Sequence, residues 1–212
     1  MINGHSGMAR RRNAFDNTAI GSHGQETNPW GCRHWEVYNN TFTYTASGIT
    51  GPLDGSQPYP LNLNSWALIR GGTGVFTQNE FDQIPWGKSA LQLAVFSINR
   101  SDSIPCQTSY PAARQVGIGW NGVGPYSWPS VPQDGTGYFS DPVYIWGNTG
   151  AGTSDPDYYV DLDQYTPDDC GNGQVIATYL QEGRDYFVNT PRPNYAPYPY
   201  PHPLRVNALT NP

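Results

Sequence analysis

The chain predicts an all-β protein whose short strands stack as the turns of a solenoid. Three observations lead there. In RHWEVYNNTF at 33–42, alternating aromatic and β-branched residues run into Asn39-Asn40 and then a second apolar step, and weaker copies of this unit recur downstream. Of the 212 residues 24 are Gly and 20 are Pro, so turns are frequent. Only 13% are charged, which leaves little material for long amphipathic helices. The length suits one domain with a sizeable core, which an elongated all-β fold can use as a single unit.

Residues 12–20 read as a first, degenerate turn with Phe15 and Ile20 inward and Asp16-Asn17 at the corner. Residues 25–31 form a loop, because Pro29 removes a ladder donor, and it would bring His23, Glu26 and Arg33 near one another. The second turn is the clearest: Trp35, Val37, Phe42 and Tyr44 keep a period of two around Asn40. Asn tolerates left-handed backbone angles, and its carboxamide could bond to the matching position of the next turn. After a Gly/Pro-rich excursion at 47–62, a third turn restates the unit, with Gln78-Asn79-Glu80-Phe81 answering Asn39-Asn40-Thr41-Phe42. Gly71, Gly72 and Gly74 mark strand, tight turn and strand; no Gly-Lys-Ser/Thr follows them to make a phosphate cradle. A fourth strand spans 90–98, and the Pro-rich stretch 103–141 packs on the flank or carries function. A fifth unit at 142–149 ends in Asn148, and 174–180 is a short apolar run. Prolines interleaved with tyrosines from Pro191 to Pro203 favour extended geometry. The expected organisation is therefore coils with loop excursions over 1–188 and a Pro-rich tail over 189–212 laid along them.

A formal net charge of −6 disfavours a surface that tracks nucleic acid, and the run Arg10-Arg11-Arg12 reads as a solvated edge. Nothing approaches the roughly 18 apolar residues of a membrane span. Cys32, Cys106 and Cys170 have no metal-ligand spacing; one disulfide plus a thiol and three buried thiols both fit. Asp155, Asp157, Asp161, Asp163, Asp168 and Asp169 could hold Ca²⁺, although their spacing is not that of an EF-hand, and no other cofactor motif is present.

EVYNNTF at 36–42, DPVYIWGNT at 141–149 and above all EGRDYFVNTPRPNYAPYPYPHPL at 182–204 resemble the last coils and tail of bacterial right-handed parallel β-helix repeat proteins of the pectate-lyase-like superfamily. The resemblance implies a right-handed parallel β-helix with long Pro/Gly-rich loops and an extended Pro/Tyr-rich C-terminal tail. It also implies an extracellular or cell-surface location, further coils upstream, and polysaccharide as the partner. Lysis, hydrolysis and noncatalytic adhesion all occur on that fold, so the fold does not settle the function.

Lyase chemistry needs a base next to a uronate and a cation to neutralise its carboxylate. His23, Arg33 and Arg70 are the candidate catalytic residues, and Glu26, Trp30, His34, Arg100 and Asp102 the candidate substrate contacts. Hydrolysis would instead need two carboxylates on one face, for which Glu36, Asp54, Glu80 and Asp82 are available. A noncatalytic binding module needs less, because seven tryptophans, several in loops, offer rings for stacking on sugars. Exposed ends of a strand stack also make self-association, head to tail into a filament, a third expectation.

Overall fold

The computed structural model describes residues 8–16, 20–21, 35–43, 65–82, 89–95, 98, 106, 108–112, 115–120, 138–154, 159–162, 170–171 and 173–197. In chain order the strands are β1 (Met8–Arg11), β2 (Ala14–Asp16), β3 (Ile20–Gly21), β4 (Trp35–Tyr38), β5 (Thr41–Thr43), β6 (Ser65–Ile69), β7 (Gly74–Thr77) and β8 (Glu80–Phe81). They continue as β9 (Ser89–Leu93), β10 (Ile118–Trp120), β11 (Tyr138–Ser140), β12 (Val143–Trp146), β13 (Thr149–Gly150), β14 (Val160–Leu162), a helical turn α1 (Ile176–Tyr179) and β15 (Tyr186–Val188). One sheet runs β1-β4-β7-β12-β15, a second β2-β5-β8-β13 and a third β3-β6-β9-β14, while β10 and β11 pair on their own.

This arrangement corrects the expected right-handed parallel β-helix. The described residues form four separate sheets of two to five strands, one of them antiparallel, together with a helical turn. They are mostly strands, but a uniform parallel coil does not describe them. The physical reason is strand length: Gly and Asn corners cut the chain into strands of two to five residues, and the stretch expected as loop pairs with itself at Ile118↔Ser140. The tail departs from expectation as well. Residues 191–197 are not continuously extended, because Tyr195 N donates to Arg192 O at 3.2 Å around a turn with Asn194 at φ 55°.

The three larger sheets are parallel and in register, so equivalent residues of successive passes lie above one another. Val37 meets Phe76, Phe76 meets Ile145, and Phe42 meets Phe81. Alternation sends Val37, Phe76 and Ile145 inward and Glu36, Val75, Tyr144 and Phe187 to the other face of the same sheet. Inside, Phe15, Phe42 and Phe81 stack with centroids 4.8 and 5.3 Å apart, and Trp66 closes on Phe42 at 5.7 Å. Each such ring contributes about 1.5–3 kcal/mol through burial and about 0.5–1.5 more per favourable pair.

The corners between the first and second sheets carry a polar counterpart of that stack. The first corner residue is left-handed each time: Arg12, Asn39, Gln78 and Gly147 have φ of 52, 53, 55 and 63°. For residues other than glycine this costs roughly 1–2 kcal/mol. The next residue repays it. Asn13 Nδ2 donates to Asn40 Oδ1 at 3.0 Å, Asn40 Nδ2 to Asn79 Oδ1 at 2.9 Å, and Asn79 Nδ2 to Asn148 Oδ1 at 2.9 Å. The ladder stops at Asn148, whose Nδ2 donates to the hydroxyl of Tyr159 at 2.6 Å. On the fifth pass Asn189 keeps the left-handed angle, at 55°, but Thr190 stands where the ladder residue would be and Pro191 follows.

The stretch leading to β10 is fastened to the end of the chain by a fully buried carboxylate. Asp185 accepts from the Tyr110 hydroxyl at 2.9 Å, the Gln181 amide at 2.9 Å and Arg184 Nε at 2.8 Å. Gln115, also buried, donates from Nε2 to Tyr179 O at 3.0 Å and to Asp185 Oδ1 at 3.4 Å. The Arg184 guanidinium lies 3.8 Å over the Tyr110 ring. A disulfide between Cys106 and Cys170, 64 residues apart, ties the same two regions covalently, which selects one of the two thiol arrangements left open by the sequence; Cys32 lies outside the described residues.

Candidate functional site

The outward face of the first sheet carries a buried carboxylate because something covers it. Glu36, in the middle of β4, is just 7% exposed, and Tyr38 two residues on is also buried. The cover is the segment after β15. Arg192 anchors it through Nη2 to Asp141 Oδ1 at 2.9 Å, and the Tyr195 ring meets Trp146 edge-on with centroids 5.3 Å apart. Between this strap and the sheet lies a groove of about 350 Å³ lined by Trp35, Glu36, Val75, Arg192, Asn194 and Tyr195 among others. That volume falls within the roughly 300–1,000 Å³ of ligand pockets.

The groove's electrostatics are those of a binding surface. Burial raises the Tyr195 hydroxyl above its ordinary pKa, with the Glu36 carboxylate and Tyr38 pushing the same way and Arg192 opposing. At neutral pH Tyr195 is therefore a hydrogen-bond donor and not a base. Arg192 is held by Asp141, so its charge is largely compensated. Among the described residues the buried indole N–H of Trp35 has no hydrogen-bond partner. The buried Tyr195 hydroxyl faces Glu36, and the exposed Asn194 carboxamide can both donate to and accept from a hydroxyl-rich ligand. Among the described residues Glu36 is the one carboxylate lining the groove, whereas glycoside hydrolysis uses a pair. Glu80 and Asp82 are exposed and belong to the second sheet's side of the chain.

Of the residues singled out from the sequence, His23, Glu26, Trp30, Arg33, His34, Arg100 and Asp102 lie outside the described residues, as does Asp54. Arg70 is described: it directly follows β6, is half-buried and does not line the groove. Asp161 is exposed and bonds Gln92 Nε2 at 3.2 Å, and among the described residues no group of three or more acidic, His or Cys side chains could hold a metal ion. Among the described residues no helix is long and apolar enough to cross a membrane. Sequence reasoning considered Glu36 as a hydrolase carboxylate but missed Arg192, Asn194 and Tyr195. The available signal was the polar triplet inside RPNYAP, which interrupts a run otherwise suited to an extended tail. Comparison with known proteins finds no matching family model, no similar curated protein and no similar solved structure.

Proposed function

We propose that the protein is a noncatalytic polysaccharide-binding module of the cell exterior that holds a run of sugar units in the groove between β4, β7 and the 192–196 strap. The observation that carries this reading is an open groove of ligand size lined by Glu36, Tyr195 and the exposed Asn194. The disulfide supports an oxidising compartment. The ligand class rests on the resemblance of 182–204 to tails of β-helix repeat proteins, a superfamily in which polysaccharide lysis and hydrolysis occur. Cleavage is less well supported, because the groove pairs a single carboxylate with a tyrosine whose proton is held tightly.

Incubation with a panel of neutral and acidic polysaccharides tests the reading. Retention in affinity electrophoresis, without new reducing ends or unsaturated products, is the expected result. Glu36→Gln and Tyr195→Phe should each weaken retention by about fivefold or more, the loss of one hydrogen bond to a charged or buried group. Release of oligosaccharides, or retention that neither substitution changes, would overturn it.

A further inference from the structure

A second cavity lies where the passes run out. The first sheet has five strands, whereas the second and third end at β13 and β14 after four. Above that step is a space of about 200 Å³ with Thr153, Ser154, Tyr159, Glu182, Tyr186 and Asn189 in its walls. It is smaller than the roughly 300–1,000 Å³ of most ligand pockets, which limits an occupant to about one ring. Tyr159 and Tyr186, both buried, supply aromatic wall. Among the described residues the Glu182 carboxylate, the Asn189 carboxamide and the Ser154 hydroxyl, all exposed, make no side-chain hydrogen bond, so three polar groups converge unpaired on one small space.

Among the described residues the charge in this cavity has one sign: Glu182 is the charged one lining it, and no cation does. Arg184, two residues on, is directed to Asp185 and the Tyr110 ring instead. Burial raises the Tyr186 pKa most, and the Glu182 and Asp185 charges add to it. We propose that this cavity is a second binding site, separate from the groove, for a single sugar ring carrying a protonated amine: the amine against Glu182, the hydroxyls on Asn189 and Ser154, and the ring face on tyrosine. The sugar class rests on the polysaccharide reading of the groove; the preference for a cation rests on the cavity alone.

Titration of the full chain with glucosamine, glucose and glucuronate, followed by calorimetry and by NMR, tests this. Glucosamine should bind about two- to fivefold more tightly than glucose, the range of a solvent-accessible ion pair, and glucuronate should bind most weakly. Glu182→Gln, a substitution at an exposed position, should erase the preference for glucosamine. Tyr195→Phe, in the groove, should leave it intact. A preference that survives Glu182→Gln, one that disappears in Tyr195→Phe, or no saturable binding of glucosamine would overturn the proposal. Failure of polysaccharide retention together with Glu182-dependent glucosamine binding would reject the groove reading and keep this one.

Discussion

At the residue scale, Asn79 concentrates more of the corner's stability than any charged group nearby. It is 1% exposed, donates to Val37 O at 3.1 Å and to Asn148, and accepts from both the backbone and the side chain of Asn40. Asn79→Ala strands several buried groups at once, so urea denaturation should show a loss of about 2–4 kcal/mol. Asn13→Ala, at the exposed end of the ladder, should cost less than about 1 kcal/mol; equal losses would refute the ladder as the source. Asn40 and Asn79 were legible because each follows a clear apolar strand, and Gln78–Phe81 does pair in register with Asn39–Phe42. Asn13 was not, because the strand before it, MARR, reads as a basic run, and the corner was placed instead at Asp16-Asn17. The tyrosines set a pH limit. Tyr110, Tyr159, Tyr179, Tyr186 and Tyr195 all have pKa values raised above that of a free phenol, chiefly by burial. Above about pH 10 the unfolded chain loses phenolic protons that the folded chain keeps, so stability is present below that pH and falls as pH rises through it. Tyr195→Phe should flatten the fall measured by denaturant midpoints from pH 9.5 to 11, as a rough window; an unchanged slope would remove Tyr195 from the account.

At the scale of elements, glycine placement decides what can pack. A Cβ on Gly74 would lie 2.2 Å from Trp35 O and 2.4 Å from Trp35 Cδ2, since the indole of the pass above occupies that space. Gly74→Ala should therefore cost about 1–3 kcal/mol, by the usual penalty for overpacking, and shift the near-UV spectrum of a buried tryptophan. No loss of stability would mean that the ring has room to move. The sequence marked this glycine as part of strand, tight turn and strand, which is how β6 and β7 meet. It did not mark α1, whose four residues lack a capping side chain and depend on tertiary contacts: Ile176 and Tyr179 are buried, and Gln115 and Arg184 donate to Tyr179 O. Nor did it mark β10 and β11, because their pairing depends on Gly117, whose amide bonds Gly72 O at 3.0 Å across 45 residues of chain, as 117 minus 72 gives. Tyr110→Phe keeps the ring under Arg184 and removes only the hydroxyl from Asp185, so a loss of about 1 kcal/mol is expected. Asp185→Ala, which takes away the acceptor shared by the Tyr110 hydroxyl, the Gln181 backbone amide and Arg184 Nε, should cost at least twice as much in the same denaturation assay.

For the whole molecule, the two ends of the stack are unlike. At one end Asn13 is exposed; at the other the last ladder carboxamide is already bonded to Tyr159, and Thr190-Pro191 replaces the next Asn. Head-to-tail association would have to displace Tyr159 before a new corner could pair. Light scattering over a wide concentration range should therefore show a monodisperse monomer, and growth of mass with concentration would contradict this. The same ladder also fixes how the molecule yields to force. Its rungs join residues 27, 39 and 69 apart in sequence, so chain drawn off one pass at a time comes away in unequal lengths. At about 3.3–3.6 Å per residue the first two are steps of roughly 90 and 130 Å, while the third span, 79–148, runs into the Cys106–Cys170 loop and is shorter as long as that bridge is closed. The Cys106–Cys170 bridge withholds 64 residues of slack, which a reducing buffer would return as roughly 210 Å of added extension. Under load the molecule would thus lengthen in graded increments, with a reserve released only in reducing surroundings.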